Sequence, residues 1–391
     1  MIANALQMND WTIGKFIKSI LAIQLAMLGV IGLDVMGIPI PIIRQLIGFL
    51  FLTTLPGFLI LQILKLNKIE STEKFILSVG ISISFVMFFG LLLNTLSLKL
   101  GYETPLSTPP LLISFNLAFI LLMFIWYKVD NYTIFSLPTF KLTTPEKVFL
   151  IVPVFFPALS IFGMHIMNTT SNNIILMFML FLIPTYVVLV CFFNKKFPKR
   201  LYPVVIFLIS VSLLLMFSLR SNHLIGVDTH SEYYFFQTTS DNMYWSVFGH
   251  SSLDACLAIS VLPTIYQCIL NTSPELLFKI LYSLLFSISP LIIYILSKKY
   301  VSEFYGFLTS CSFMFLHNFL WTPFHARTNT AILFFGLAMM ILFTDKIGML
   351  KKRTLFIVFM TSCVVSHYST TYIVFFIILG AFIGVKLLLK K

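Results

Sequence analysis

Asp228 and Glu232 stand four residues apart in the stretch Gly226-Val-Asp-Thr-His-Ser-Glu-Tyr-Tyr-Phe-Phe. In a helix that spacing puts both carboxylates on one face. Acids so paired can take up a proton, hold a metal or bind a cationic group. Gly226 lets the chain turn ahead of the helix. Tyr233, Tyr234, Phe235 and Phe236 suit burial at the headgroup level of a membrane. Carboxylates at a bilayer edge are costly without a task. The plainer reading is a solvated loop acid beside an aromatic belt.

Arg327 lies alone between two apolar runs, close to Trp321, Pro323 and His325. Its planar guanidinium suits bidentate phosphate binding, and an interfacial anchor would use it equally well. Ser366-His367-Tyr368-Ser369 interrupts an apolar stretch running from 354 to 385. The helix before that break has about 14 residues and spans only about 21 Å. His367 and Tyr368 are therefore expected below the membrane surface, lining a cavity. A divalent metal on Asp228, Glu232, His223 and His230 is a further use of the same side chains.

The elements that must position these residues follow from composition. Of 391 residues, 59% are hydrophobic and 10% are charged, where a soluble domain carries about 25% charged residues. The solvent must be lipid. Apolar runs at about 16–36, 42–64, 75–97, 110–127, 148–167, 173–194, 201–219, 276–296, 303–319, 328–344, 353–366 and 370–388 predict an all-α, polytopic transmembrane protein of about twelve helices. Lys15 and Lys18, then Lys65, Lys68 and Lys74, then Lys128, Lys141 and Lys147, then Lys195, Lys196, Lys199 and Arg200 occupy alternate loops. By the positive-inside rule both termini are cytoplasmic, and 220–274 is one large outer loop with interfacial helices. Its apolar part, 255–270, is expected along the outer surface; were it to span, Lys298, Lys299, Lys351, Lys352 and Arg353 would all face outward. All seven histidines (His165, His223, His230, His250, His317, His325 and His367) then fall on the outer side.

The net charge of +12 reads as a topology signal at anionic headgroups, not as nucleic-acid binding. The five cysteines show neither metal spacing nor a disulfide framework. No P-loop, dinucleotide fingerprint or HExxH is present.

An acid early in the first large outer loop, just after a transmembrane helix and ahead of Tyr-rich sequence, resembles the C-type glycosyltransferase superfamily. Those multi-spanning enzymes take sugars from polyprenyl-phosphate carriers on the outer side of the membrane. From about 201 onward the chain is similar to an archaeal membrane family placed in that superfamily. The matching stretches are Gly226-Val-Asp228-Thr-His230-Ser-Glu232-Tyr, Leu262-Pro263-x-Ile-Tyr266, Phe278-Lys279, Ala326-Arg327 and Ser366-His367-Tyr368-Ser369. The resemblance implies Asp228 as the catalytic acid/base carboxylate, with Glu232 assisting. Arg327, His367, Tyr368, His230 and His325 would hold substrate. It also divides the chain into a six-helix region, 1–200, and a membrane module, 201–391. Enzymes of that superfamily usually continue with further helices, so the module is expected to be incomplete at its C-terminus.

Leu55-Pro56-Gly57-Phe58, Glu73-Lys74, Ser78-Val-Gly80 and Gly90-Leu-Leu-Leu-Asn94 resemble a second archaeal family across about 40–130. That likeness implies no activity. Pro56-Gly57 would kink one helix, and the small residues would let the next pack closely.

The expected function is a cell-membrane, multi-pass glycosyltransferase of hexosyltransferase type. It would move a sugar from a polyprenyl-phosphate donor to an outer-surface acceptor. The alternative is a non-catalytic transporter, flippase or assembly subunit of cell-surface glycan synthesis. A transporter should carry polar residues at mid-helix positions, and the sequence has few.

Overall fold

The computed structural model describes residues 7–11, 13–66, 69–129, 135–139, 142–248 and 251–388; Lys68, Lys141 and His250 lie outside them. A short strand, β1 (Gln7–Trp11), precedes α1 (Ile13–Val35), α2 (Pro41–Thr53), α3 (Leu55–Ile63), α4 (Ser71–Lys99) and α5 (Thr108–Val129). After strand β2 (Phe135–Thr139) come α6 (Thr144–Thr170), α7 (Ile174–Phe192), α8 (Tyr202–Ser218), α9 (Val227–Asn242) and α10 (Val261–Leu270). The chain continues through α11 (Pro274–Phe286), α12 (Ser289–Tyr300), α13 (Glu303–Met314) and α14 (His317–Trp321) to α15 (Ala326–Phe343), α16 (Met349–Val364) and α17 (Tyr368–Leu388).

Among the described residues, ten helical spans are long and apolar enough to cross a bilayer, with α2–α3 and α11–α12 each forming one broken span. Two shorter pieces complete the expected twelve. Thr328 near the start of α15 lies 3.3 Å from His367 past the end of α16, and Lys352 near the start of α16 donates to the Thr344 carbonyl at 2.8 Å. So α16 runs antiparallel to α15 over its length. Similarly, Glu303 at the start of α13 lies 3.9 Å from Lys199, just before α8, and Trp321 at the end of α14 packs on Phe217 at the end of α8. The pair α13–α14 therefore crosses alongside α8. The chain is a polytopic helical membrane protein.

The basic loops collect at one end of the bundle. Lys298 and Lys346 both pair with Glu70, and Lys346 also with Glu73. Arg200 forks onto Glu146. The antiparallel ribbon of β1 and β2, in register from Gln7 opposite Thr139 to Trp11 opposite Phe135, ties the N-terminal segment to the α5–α6 loop. The ribbon adds a feature that helical periodicity did not predict. Ion pairs at this end join elements from both halves of the chain.

The opposite end holds the long loop between α8 and α11, within which α10 departs from expectation. It does not lie along the surface: Val261, Leu262, Ile265, Tyr266 and Ile269 are all fully buried. A ten-residue helix rises only about 15 Å, so it does not cross either. Protein, not lipid, covers its apolar side chains. Gly90 of α4 makes this possible, since a Cβ there would come within 2.3 Å of the Ile265 side chain. The C-terminal carbonyls of α10, which a helix leaves without partners, accept from buried Arg44, whose Nε and Nη2 each reach one at 2.9 Å. Asn94 fixes the loop further, exchanging two hydrogen bonds with the Trp245 backbone at 2.8 and 2.9 Å.

The remaining small residues of the N-terminal likeness are also contact points. A Cβ on Gly57 would sit 1.9 Å from the Ser78 carbonyl, and the Gly57 N–H donates to Ser82 Oγ at 2.8 Å. Gly80 lies against Leu337 of α15 and Phe359 of α16.

Candidate functional site

At the loop end, Gly226 takes φ +103°, ψ 141°, a backbone region essentially reserved for glycine. The chain turns there and enters α9, whose first turn carries Asp228. Thr229 donates to the Phe324 carbonyl at 2.9 Å and docks this turn against the segment before α15. Asp228 and Glu232, one helical turn apart, both reach Arg327: Asp228 Oδ2 lies 3.7 Å from Nη2, and Glu232 Oε1 lies 3.0 Å from Nε.

The two acids differ sharply in environment. The Glu232 side chain is 1% exposed, while that of Asp228 is 52% exposed. Glu232 also accepts the backbone N–H groups of Ala326 at 2.9 Å and Arg327 at 3.4 Å. It thus caps α15 from another helix, where the positive end of the helix dipole favours an anion. Burial nevertheless pushes its carboxyl up to about 7, aided by Asp228 and opposed by the Arg327 charge and the two N–H donors. Asp228 has no such engagements and is the carboxylate open to an incoming molecule.

Arg327 is 13% exposed and is held by charge more than by hydrogen bonding. Its Nε–H is not aligned with the nearby Glu232 oxygen and lacks a hydrogen-bond acceptor. The Tyr368 ring lies 5.9 Å from its Cζ, a cation–π contact. His367 is buried next to Tyr368, with Nδ1 2.7 Å from Thr370 Oγ1 and 3.3 Å from Thr328 Oγ1. Burial, with Arg327's charge nearby, lowers the His367 imidazole pKa, against the pull of Asp228. A neutral imidazole can donate one hydrogen bond without adding charge.

Five of the sequence-selected residues, Asp228, Glu232, Arg327, His367 and Tyr368, therefore form one cluster. The others do not join it. His230 is exposed on α9. His325 is close by in sequence, but its Nδ1 lies 3.3 Å from the Trp321 carbonyl. His223 precedes the Gly226 turn and lies 3.7 Å from Glu275 instead. The metal set of Asp228, Glu232, His223 and His230 is thus split, with Glu232 already capping α15. Among the described residues no group of three His, Cys, Asp or Glu side chains could hold a metal ion. The described histidines share an end of the molecule without sharing a site.

Two supporting features escaped the sequence reading. Arg220 stacks on Phe217, Phe324 and Trp321, with Cζ at 4.5, 5.0 and 5.5 Å from the ring centroids. It braces the segment that carries Phe324 and, through Thr229, the start of α9. The second is the backbone link from Leu257 N–H to the Val365 carbonyl, at 2.9 Å. It seats the loop against the break that presents His367. An Arg beside an aromatic-rich loop was legible in Arg220; the Leu257 link carries no sequence signal.

The fold and this end-placed charged cluster define a multi-pass membrane protein with a polar site where the helices meet one long loop. The sequence matches no family model and no curated protein, and no solved structure matches the fold.

Proposed function

We propose that the protein is a membrane glycosyltransferase that moves a sugar from a polyprenyl-phosphate donor to an acceptor at the outer face. One observation carries the reading. An exposed carboxylate, Asp228, lies 3.7 Å from Nη2 of a mostly buried guanidinium, at the loop end of the bundle. A proton acceptor and a phosphate-binding group are what displacement at a sugar–phosphate carbon needs.

In this scheme Asp228 takes the proton from the acceptor hydroxyl as its oxygen bonds to the anomeric carbon. The bond from that carbon to the phosphate oxygen breaks, and the electron pair leaves with the polyprenyl phosphate. Arg327 stabilises the charge that develops on the phosphate, and His367 can donate a hydrogen bond to it. Glu232, neutral in part near pH 7, limits the negative charge facing the donor. Tyr368, 40% exposed at the head of the lipid-facing α17, would flank the isoprenoid chain. Purified protein given radiolabelled polyprenyl-phosphate hexoses and a membrane glycan extract should transfer label. No transfer from glucose, mannose or galactose donors would contradict the reading.

A second reading has one observation in its favour. Helix α17 buries only Val374, leaving nearly its whole surface for lipid or for a partner helix, as an assembly subunit would need. A partner that co-purifies and covers α17, with no transfer activity in the complex, would favour it.

A further inference from the structure

A cavity of about 590 Å³ lies between α6, α8 and α11 at the loop end, and the proposed transfer chemistry makes no use of it. Its walls change character with depth. Asn168, Ser221, Asn222 and Glu275 line one part; Ile161, Met164, Leu215 and Leu284 line another. Along α11, Leu284 follows Glu275 by nine residues, a rise of about 13 Å. The apolar part therefore lies where acyl or isoprenoid chains run, and the polar part near the headgroups. Ile161, in the apolar part, is 50% exposed, so that part opens sideways to the bilayer there.

Lys279 faces this cavity from the second turn of α11. The residue is 8% exposed, and its Nζ donates to the Ser221 carbonyl at 2.6 Å. Among the described residues, no carboxylate lies within ion-pair distance of that ammonium. Glu275, the nearest acid along the helix, is instead engaged by the Leu224 N–H at 2.8 Å and faces His223 at 3.7 Å. Glu275, one turn earlier on α11, offsets part of the charge from beyond ion-pair distance, but a buried cation with one carbonyl acceptor keeps two N–H donors without a direct anionic partner. An ammonium in that state, above an apolar cleft that opens to lipid, calls for an anion carried on an apolar chain.

We propose that this cavity binds the phosphate of a membrane lipid, with the phosphate on Lys279 and the lipid chain along Ile161, Met164 and Leu284. The site is distinct from the Asp228–Arg327 cluster: none of Asp228, Glu232, Arg327, His367 or Tyr368 lines the cavity. It does not depend on the glycosyltransferase reading.

Native mass spectrometry of the full chain in detergent tests it, with three probes titrated separately: phosphatidylglycerol, polyprenyl phosphate and inorganic phosphate. Two variants are compared. Lys279→Met removes the charge at similar length, and Ile280→Trp, at a residue that also lines the cavity, fills the cleft without touching the charge. Wild type should bind at least one of the two lipids, Lys279→Met at least tenfold more weakly. Ile280→Trp should lose lipid binding to a similar extent, and it carries the test should Lys279→Met fail to fold. The lipid that binds more tightly identifies the source of the phosphate. Binding of inorganic phosphate alone, or lipid binding unchanged in the variants, overturns the proposal.

Discussion

Replacing Arg327 with alanine should destabilise the protein by an amount that depends on pH. At 3.0 Å and an effective dielectric of about 20, the pair with buried Glu232 is worth up to about 5 kcal/mol of attraction before desolvation. Removing one partner of such a pair typically costs about 3–5 kcal/mol, because the other charge is left buried. Glu232 has an escape, however: it can take up a proton. Protonating a carboxyl of ordinary pKa 4.5 costs about 3 kcal/mol at pH 7, close to 5 at pH 8 and under 1 at pH 5. Wild-type Glu232, with its carboxyl at about 7, already meets most of that cost, so the penalty of Arg327→Ala should be under about 1 kcal/mol at pH 7, grow by up to about 1.4 kcal/mol for each unit above it, and vanish at pH 5. Asp228 lies farther away and is half exposed, so its coupling to Arg327 should stay under about 1 kcal/mol. Unfolding can be followed in detergent by the reaction of the buried thiols of Cys256, Cys311 and Cys363 with a fluorogenic reagent. Double-mutant cycles of Arg327→Met with Glu232→Gln and with Asp228→Asn then separate the two couplings. A penalty independent of pH, or a larger coupling to Asp228 than to Glu232, would refute the reasoning.

Three further outcomes follow from the same geometry. Glu232, with its carboxyl pushed up to about 7 from an ordinary 4.5, holds its proton in the folded state between those values and releases it when unfolded. Stability from this group should accordingly fall as pH rises from 4.5 through 7, by at most about 1.4 kcal/mol per pH unit, and Glu232→Gln should flatten that slope. Gly226→Ala forces a side chain into the region at φ +103°, where its Cβ would meet Thr229 Oγ1 at 2.9 Å; a loss of about 1–3 kcal/mol in thermal unfolding is expected, and a neutral result would show that α9 starts elsewhere. A cysteine at Ser240 in α9 should react with an impermeant thiol reagent on intact cells, whereas reaction only after lysis would invert the proposed orientation.

The spans were legible because a bilayer imposes one length and one polarity on every crossing segment, and the basic loops marked their ends. Asp228 and Glu232 were legible as a pair because one helical turn joins them. Arg327 stood out as a lone charge, but Glu232's cap on the Ala326 N–H joins residues 94 apart in sequence, which no local pattern encodes. The histidines were grouped by side of the membrane, a coarse coordinate: His223 and His230 flank the Gly226 turn, yet His223 faces Glu275 while His230 is exposed on α9. The segment 255–270 was misplaced because composition cannot distinguish a helix sheathed in lipid from one sheathed in protein. Arg44 and Gly90, distant in sequence, supply the polar partner and the space that bury α10. Lys279 was visible as part of a Phe-Lys match, but the cavity above it exists only once α6, α8 and α11 assemble.

Single-turnover transfer of labelled sugar from a polyprenyl-phosphate donor, compared between wild type and Asp228→Asn, tests the central claim most directly. Loss of a general base predicts transfer slower by about 10²–10⁴-fold, with donor affinity and thermal stability close to wild type. Transfer by Asp228→Asn at the wild-type rate would contradict the account.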